Sequence, residues 1–265
     1  ADLNMNPLHS LVNERAVSDN PELAIPLLKK QIDGMHSQNI ITTIKHFPGD
    51  GSTLRDQHLV TASNTLSWKQ WKRTFGKVFQ TLINHGAPSV MVGHLTFPAY
   101  QKQKSNNYLL PASLSEEIIV KLLKQEMNFN GVVISDALNM GGVTGYYPNE
   151  LETSIACFNA GVDLMLWPEL AFMDTLEARI LRNEIPLKRL NDAVERIWAL
   201  KERFGLFEKE HRIFNELSDD DKTFIDNTAR AVAEFTPAPG KQYTLNIKEY
   251  STRADPKTQT YRGVL

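Results

Sequence analysis

Four short apolar runs, IITTIKHF, APSVMVGHL, GVVISDAL and GVDLMLWP, alternate along this chain with longer segments whose apolar residues recur at helical spacing. No other feature constrains the fold as strongly. The runs are rich in β-branched residues and lack polar alternation, as strands buried on both faces do. Short connections between strand and helix then imply a parallel sheet closed by right-handed crossovers.

The helical segments read as residues 20–38, 66–86, 113–129, 149–161, 170–184 and 187–205. Pro26 has to lie in the first turn of its helix or kink it. A barrel and a doubly wound sheet both fit this alternation. The position of the polar residues favours the barrel. Lys45 and His46, His94, Ser135 and Asp136, and Trp167 to Glu169 each sit at the carboxyl end of a strand, the face on which (β/α)8 enzymes assemble their sites. Only four full strands are legible, with a stub at residues 2–4 that looks like the end of another. The expectation is an α/β fold, a (β/α)8 TIM barrel lacking its first two or three strands, over residues 1–207. Residues 208–265 read as a separate helical and β tail of unrelated character: a charged helical stretch, a Pro/Gly break, then strand-like segments.

Composition narrows the partners. With 29 basic and 31 acidic residues the formal charge is -2, and no Lys/Arg run makes a phosphate-binding stripe, so nucleic acid is not an expected partner. No apolar run approaches the roughly 18 residues of a membrane span. No leader peptide is visible, and because the chain opens mid-pattern with ADLNMNP, the compartment stays open between cytoplasmic and secreted or periplasmic. The single cysteine, Cys157, excludes an intrachain disulfide and reads as a packed small residue.

The residues with chemistry cluster in KHFPGDGSTLRDQH, residues 45–58. Pro48, Gly49 and Gly51 turn the chain sharply after the strand. Asp56 and His58 lie two apart, so in an extended segment they share one side, and the carboxylate can orient the imidazole and raise its basicity. A turn-capping role, and a metal site of His46, Asp50, Asp56 and His58, remain alternatives, although the spacing matches no familiar metal pattern. Asp136, after the apolar run GVVIS, would project into a barrel mouth, or else cap the next helix. A carboxylate on one strand and a proton donor on another are what retaining glycoside hydrolysis requires.

The strings KHFPGDGSTLRDQH, VMVGHLTFP, GVVISDALNMGGV and AGVDLMLWP, in that order, resemble glycoside hydrolase family 3, and most closely its β-N-acetylglucosaminidase branch. The resemblance covers about residues 1–207. It implies a (β/α)8 barrel that releases terminal β-linked N-acetylglucosamine with retention, using neither metal nor cofactor, on a carbohydrate partner. Carried over by position, it makes Asp136 the nucleophile and His58 the acid/base with Asp56 orienting it. Lys45, His46 and Arg15 would hold the sugar, and His94 would stand behind the site. Asp50 replaces a second histidine common in relatives, and Ala137 replaces the second aspartate of an SDD string. The early aspartate and arginine that grip the sugar in the family have no counterpart here. Other sugar specificities, phosphorolysis, and a truncated remnant that only binds sugar remain readings of the same motifs. Residues 241–265 resemble a segment of a periplasmic efflux adaptor.

Overall fold

The computed structural model describes residues 1–102, 104, 105, 107–207, 223, 242–246 and 260–264. The chain divides into two compact units, residues 1–207 and 208–265.

In the first unit the four apolar runs form one parallel sheet: β1 (Thr43–Phe47), β2 (Ser89–Val92), β3 (Val132–Ala137) and β4 (Leu164–Leu166). Thr43 pairs with Ser89, Ser89 with Val132, and Ile134 with Leu164. The spatial order is the chain order, β1-β2-β3-β4. A doubly wound sheet reverses its order at a switch point, and this one does not. The sheet is therefore a sector of a (β/α)8 barrel, open among the described residues, and the winding settles which of the two architectures the alternation produces.

Helix α1 (Pro21–His36) starts where Asn20 accepts the Glu22 N–H and Pro21 occupies the first turn. Pro26 lies inside this helix, beyond the first turn. The segment 66–86 forms two helices where a single one was expected. A short one, Trp68–Arg73, is opened by a reciprocal Ser67–Gln70 capping box, and α2 spans Phe75–Asn84. The break falls at Thr74, whose φ of -118° and ψ of -104° are not helical. It lets the Trp71 ring fold back over Gly76, where a Cβ would stand 2.6 Å away, while the indole N–H donates to the Pro48 carbonyl at 2.6 Å. Tertiary packing overrides helical periodicity here. Helices α3 (Glu117–Glu126, wound as a π-helix), α4 (Glu150–Asn159), α5 (Phe172–Leu181) and α6 (Leu187–Arg203) complete the unit.

The main core lies between the sheet and helices α1 to α3. Phe47, Phe79, Val90, Val92, Ile118 and Val133 are fully buried, with the Phe47 ring edge-on to Phe79 at 5.1 Å between centroids. A second cluster of Ile155, Phe158, Phe172, Leu176, Ile185 and Ala193 holds α4 to α6 together. Cys157 is wholly buried, and burial pushes its thiol pKa up, which leaves the sulfur unreactive.

In the second unit Gln242–Asn246 and Thr260–Val264 pair antiparallel. The helical reading of the stretch after Phe207, and the remaining part of the tail, lie outside the described residues. No helix among the described residues is long and apolar enough to cross a membrane.

Candidate active site

At the end of β1 the chain turns through Gly49 and Gly51, with φ of 117° and 114°. Side chains resist both values, and a Cβ on Gly49 would lie 2.3 Å from the Phe75 ring. The two basic residues before the turn differ in burial. Lys45 is exposed, while His46 is 5% exposed.

The His46 backbone N–H donates to Asp2 Oδ1 at 2.8 Å, and its ring Nδ1 lies 2.6 Å from Asp2 Oδ2. The Asp50 N–H adds a third bond to Asp2 Oδ1, at 2.9 Å. Burial alone would raise the Asp2 pKa, but the His46 charge and these donors bring it down to about 2. A carboxylate can only accept, so Nδ1 carries the proton, and Nε2 faces the other way. It lies 3.6 Å from Oδ2 of Asp136.

Asp136 stands in β3 with 14% of its side chain exposed, and its Oδ1 accepts the Ala137 N–H at 2.9 Å. It does not cap the following helix, since Asn149 does that for α4. Behind it His94 is fully buried, with Nδ1 2.8 Å from the Ser113 hydroxyl and Nε2 2.8 Å from the Ala137 carbonyl. The carbonyl needs a donor, so Nε2 carries the proton. Burial pushes the His94 pKa down, which suits this neutral tautomer.

Asp56 and His58 meet, although not through an extended strand. Residues 56–60 form a turn in which the Leu59 and Val60 N–H groups both bond the Asp56 carbonyl at 3.0 Å. One Asp56 oxygen then takes the His58 backbone N–H at 2.8 Å and the ring Nδ1 at 2.7 Å. Burial works against the Asp56 charge, but the His58 backbone and ring outweigh it and hold the carboxyl below its usual range. The imidazole stays 46% exposed, with Nε2 free of the dyad. This turn is fastened to the loop after β3: Gly142 N–H donates to the Gln57 carbonyl at 3.0 Å and Gly141 N–H to the His58 carbonyl at 2.8 Å.

Arg15 ends a one-turn helix, Val12–Arg15, and lies with Asp2, Lys45 and His46 around a cavity of about 380 Å³. Asp136 and His58 do not line that cavity; His46 stands between it and Asp136. The four residues of the metal alternative separate into different pairs, His46 with Asp2 and Asp136, Asp50 with His9, and Asp56 with His58. Among the described residues no group of three or more His, Cys, Asp or Glu is placed to hold a metal ion.

Two features escaped the sequence reading. Asp2 carries the same signal that singled out the others, a polar residue closing a strand-like stub. The buried pair of His9 and Asp50, 3.2 Å apart, carries no local signal, because 41 residues separate its partners. Burial, then the nearby Asp2 charge, raises the Asp50 pKa.

The profile described as "Glycosyl hydrolase family 3 N terminal domain" matches residues 1–200. The chain belongs to glycosyl hydrolase family 3. A relative from Cellulomonas fimi, named beta-N-acetylglucosaminidase/beta-glucosidase, is 32% identical over 211 residues, covering 77% of this chain and 37% of the relative. Among solved structures, a family 3 beta-N-acetylglucosaminidase from Paenibacillus sp. str. FPU-7 superposes with a TM-score of 0.74 at 26% identity, over 92% of this chain and 45% of that one. Beta-glucoside phosphorylase BglX superposes with a TM-score of 0.75 at 28% identity, over 92% and 44%. This family 3 chain thus spans less than half the length of these relatives.

Proposed function

We propose that this chain is the sugar-cleaving portion of a retaining β-N-acetylglucosaminidase. The observation that carries the reading is the pairing of an exposed imidazole with a carboxylate, Asp56–His58, in a turn bonded to the loop that follows Asp136. Asp136 attacks the anomeric carbon and forms a glycosyl-enzyme. His58, oriented through Nδ1 by Asp56, gives a proton from Nε2 to the leaving oxygen and later takes one from water. An imidazole does this without adding a second negative charge beside the nucleophile. Lys45, His46 and Arg15 hold the sugar hydroxyls, and the substrate is an N-acetylglucosamine-containing saccharide.

The likeness to a named phosphorylase favours a second reading, in which phosphate attacks the glycosyl-enzyme in place of water. The test of both is release of p-nitrophenol from its β-N-acetylglucosaminide, with sugar products analysed with and without phosphate. Free N-acetylglucosamine under both conditions supports hydrolysis, a sugar phosphate supports phosphorolysis, and no release by a folded chain counts against an enzyme made of these residues alone.

A further inference from the structure

Gln57 is 3% exposed, although it stands between Asp56 and His58, whose side chains keep 22% and 46% of their exposure. Its side chain runs inward, and both ends of the amide are engaged. Oε1 accepts the His94 backbone N–H at 2.6 Å, and Nε2 donates to Asp50 Oδ2 at 3.0 Å. The backbone N–H can only donate, which fixes the amide orientation and makes Asp50 an acceptor. Few side chains meet this demand. A glutamate would set a carboxylate against Asp50, and an apolar residue of the same length would leave a buried N–H and a buried carboxylate oxygen without partners.

The anchors at either end matter as much as the bonds. His94 is held at Ala137, the residue after Asp136, and Asp50 is held by His9 and by its N–H on Asp2, which also orients His46. The Gln57 carbonyl takes the Gly142 N–H. We infer that Gln57 is the positioning residue of the acid/base turn, tying His58 to the residues around Asp136 so that its imidazole stands at a fixed height over the nucleophile. This rests on His58 being the acid/base.

The experiment compares kcat and KM for the unaltered chain, Gln57→Met and His58→Ala on p-nitrophenyl β-N-acetylglucosaminide and on a chitobioside, whose leaving group needs protonation. A displacement of about 1 Å at a reacting group costs on the order of 100-fold. Gln57→Met is therefore expected to lower kcat/KM, which covers the steps up to the glycosyl-enzyme, on the chitobioside by about tenfold or more and on the nitrophenyl substrate by less than about threefold. Equal losses on both substrates, or none, while His58→Ala keeps its selective loss, would overturn the role of Gln57 alone. Lack of a selective loss in His58→Ala would overturn the acid/base reading beneath it. A readout independent of turnover is the His58 ring resonance: it should move toward its free-imidazole shift in Gln57→Met, and an unmoved resonance sinks the inference. Gln57→Asn, which keeps the amide on a shorter arm, replaces Gln57→Met if that variant does not fold.

Discussion

His46 Nε2 lies 3.6 Å from Asp136 Oδ2, and the opposite ring nitrogen, Nδ1, is held at 2.6 Å by Asp2. One imidazole thus stands between two carboxylates from different parts of the chain. Asp2 fixes the ring plane and keeps a proton on Nδ1, and the ring in turn presents Nε2 to the group proposed as nucleophile.

Asp136→Ala should remove turnover of p-nitrophenyl β-N-acetylglucosaminide to the limit of detection while leaving the thermal midpoint close to that of the unaltered chain. A mechanism-based fluoro-sugar that keeps the 2-acetamido group should label Asp136, as read by mass spectrometry. Label found on another carboxylate would displace it from the nucleophile's role.

His58→Ala should lose about 100- to 10,000-fold in kcat/KM on a poor leaving group and far less on p-nitrophenol, because kcat/KM covers the first step, where the lost function is protonation. Rates on a series of aryl glycosides check this; a uniform loss across the series is the contrary result.

The Asp2 carboxyl, at about 2 in the folded chain against an ordinary 3.8, gives a sign that can be worked out. Above about pH 4 it is ionised folded and unfolded, and its stabilisation of about 2 kcal/mol is complete. As the pH falls from about 4 to 2 that contribution is lost. Urea midpoints across this window should therefore drop less steeply in Asp2→Asn than in the unaltered chain, and parallel slopes would contradict the assignment.

Gly142→Ala should disturb the acid/base turn from the far side. A Cβ there would stand 2.4 Å from the Gln57 carbonyl oxygen and 2.9 Å from the His94 side chain. Overpacking of this kind costs about 1–3 kcal/mol. The variant should fold with reduced stability and lose activity on substrates that need His58. Full activity at an unchanged midpoint would mean that the two loops are not clasped as described.

Phe47→Ala tests the core under the site. Its ring is fully buried against Trp71 and Phe79, and its loss should cost about 3–5 kcal/mol in denaturant unfolding. A loss under about 1 kcal/mol would show that β1 does not rest on this packing.

The sequence by itself determined the α/β class, the four strands and where the helical segments lie, apart from the division of 66–86, because apolar periodicity is a local property of the chain. It also singled out Lys45, His46 and Asp136, as polar residues closing apolar runs, and Asp56 and His58, as a carboxylate and an imidazole two apart in one loop. What only the tertiary structure decided involves partners distant in the chain. The order β1-β2-β3-β4 separates a barrel sector from a doubly wound sheet. The break at Thr74 serves a contact between Trp71 and Pro48, 23 residues apart. The turn at 56–60 replaces an extended segment because its carbonyls face Gly141 and Gly142, about 80 residues further on. Asp2, His9 and Gln57 take their meaning from the side chains that burial brings against them. Periodicity records which face of an element is buried, but a buried donor or acceptor needs a particular partner, and the folded chain alone supplies it.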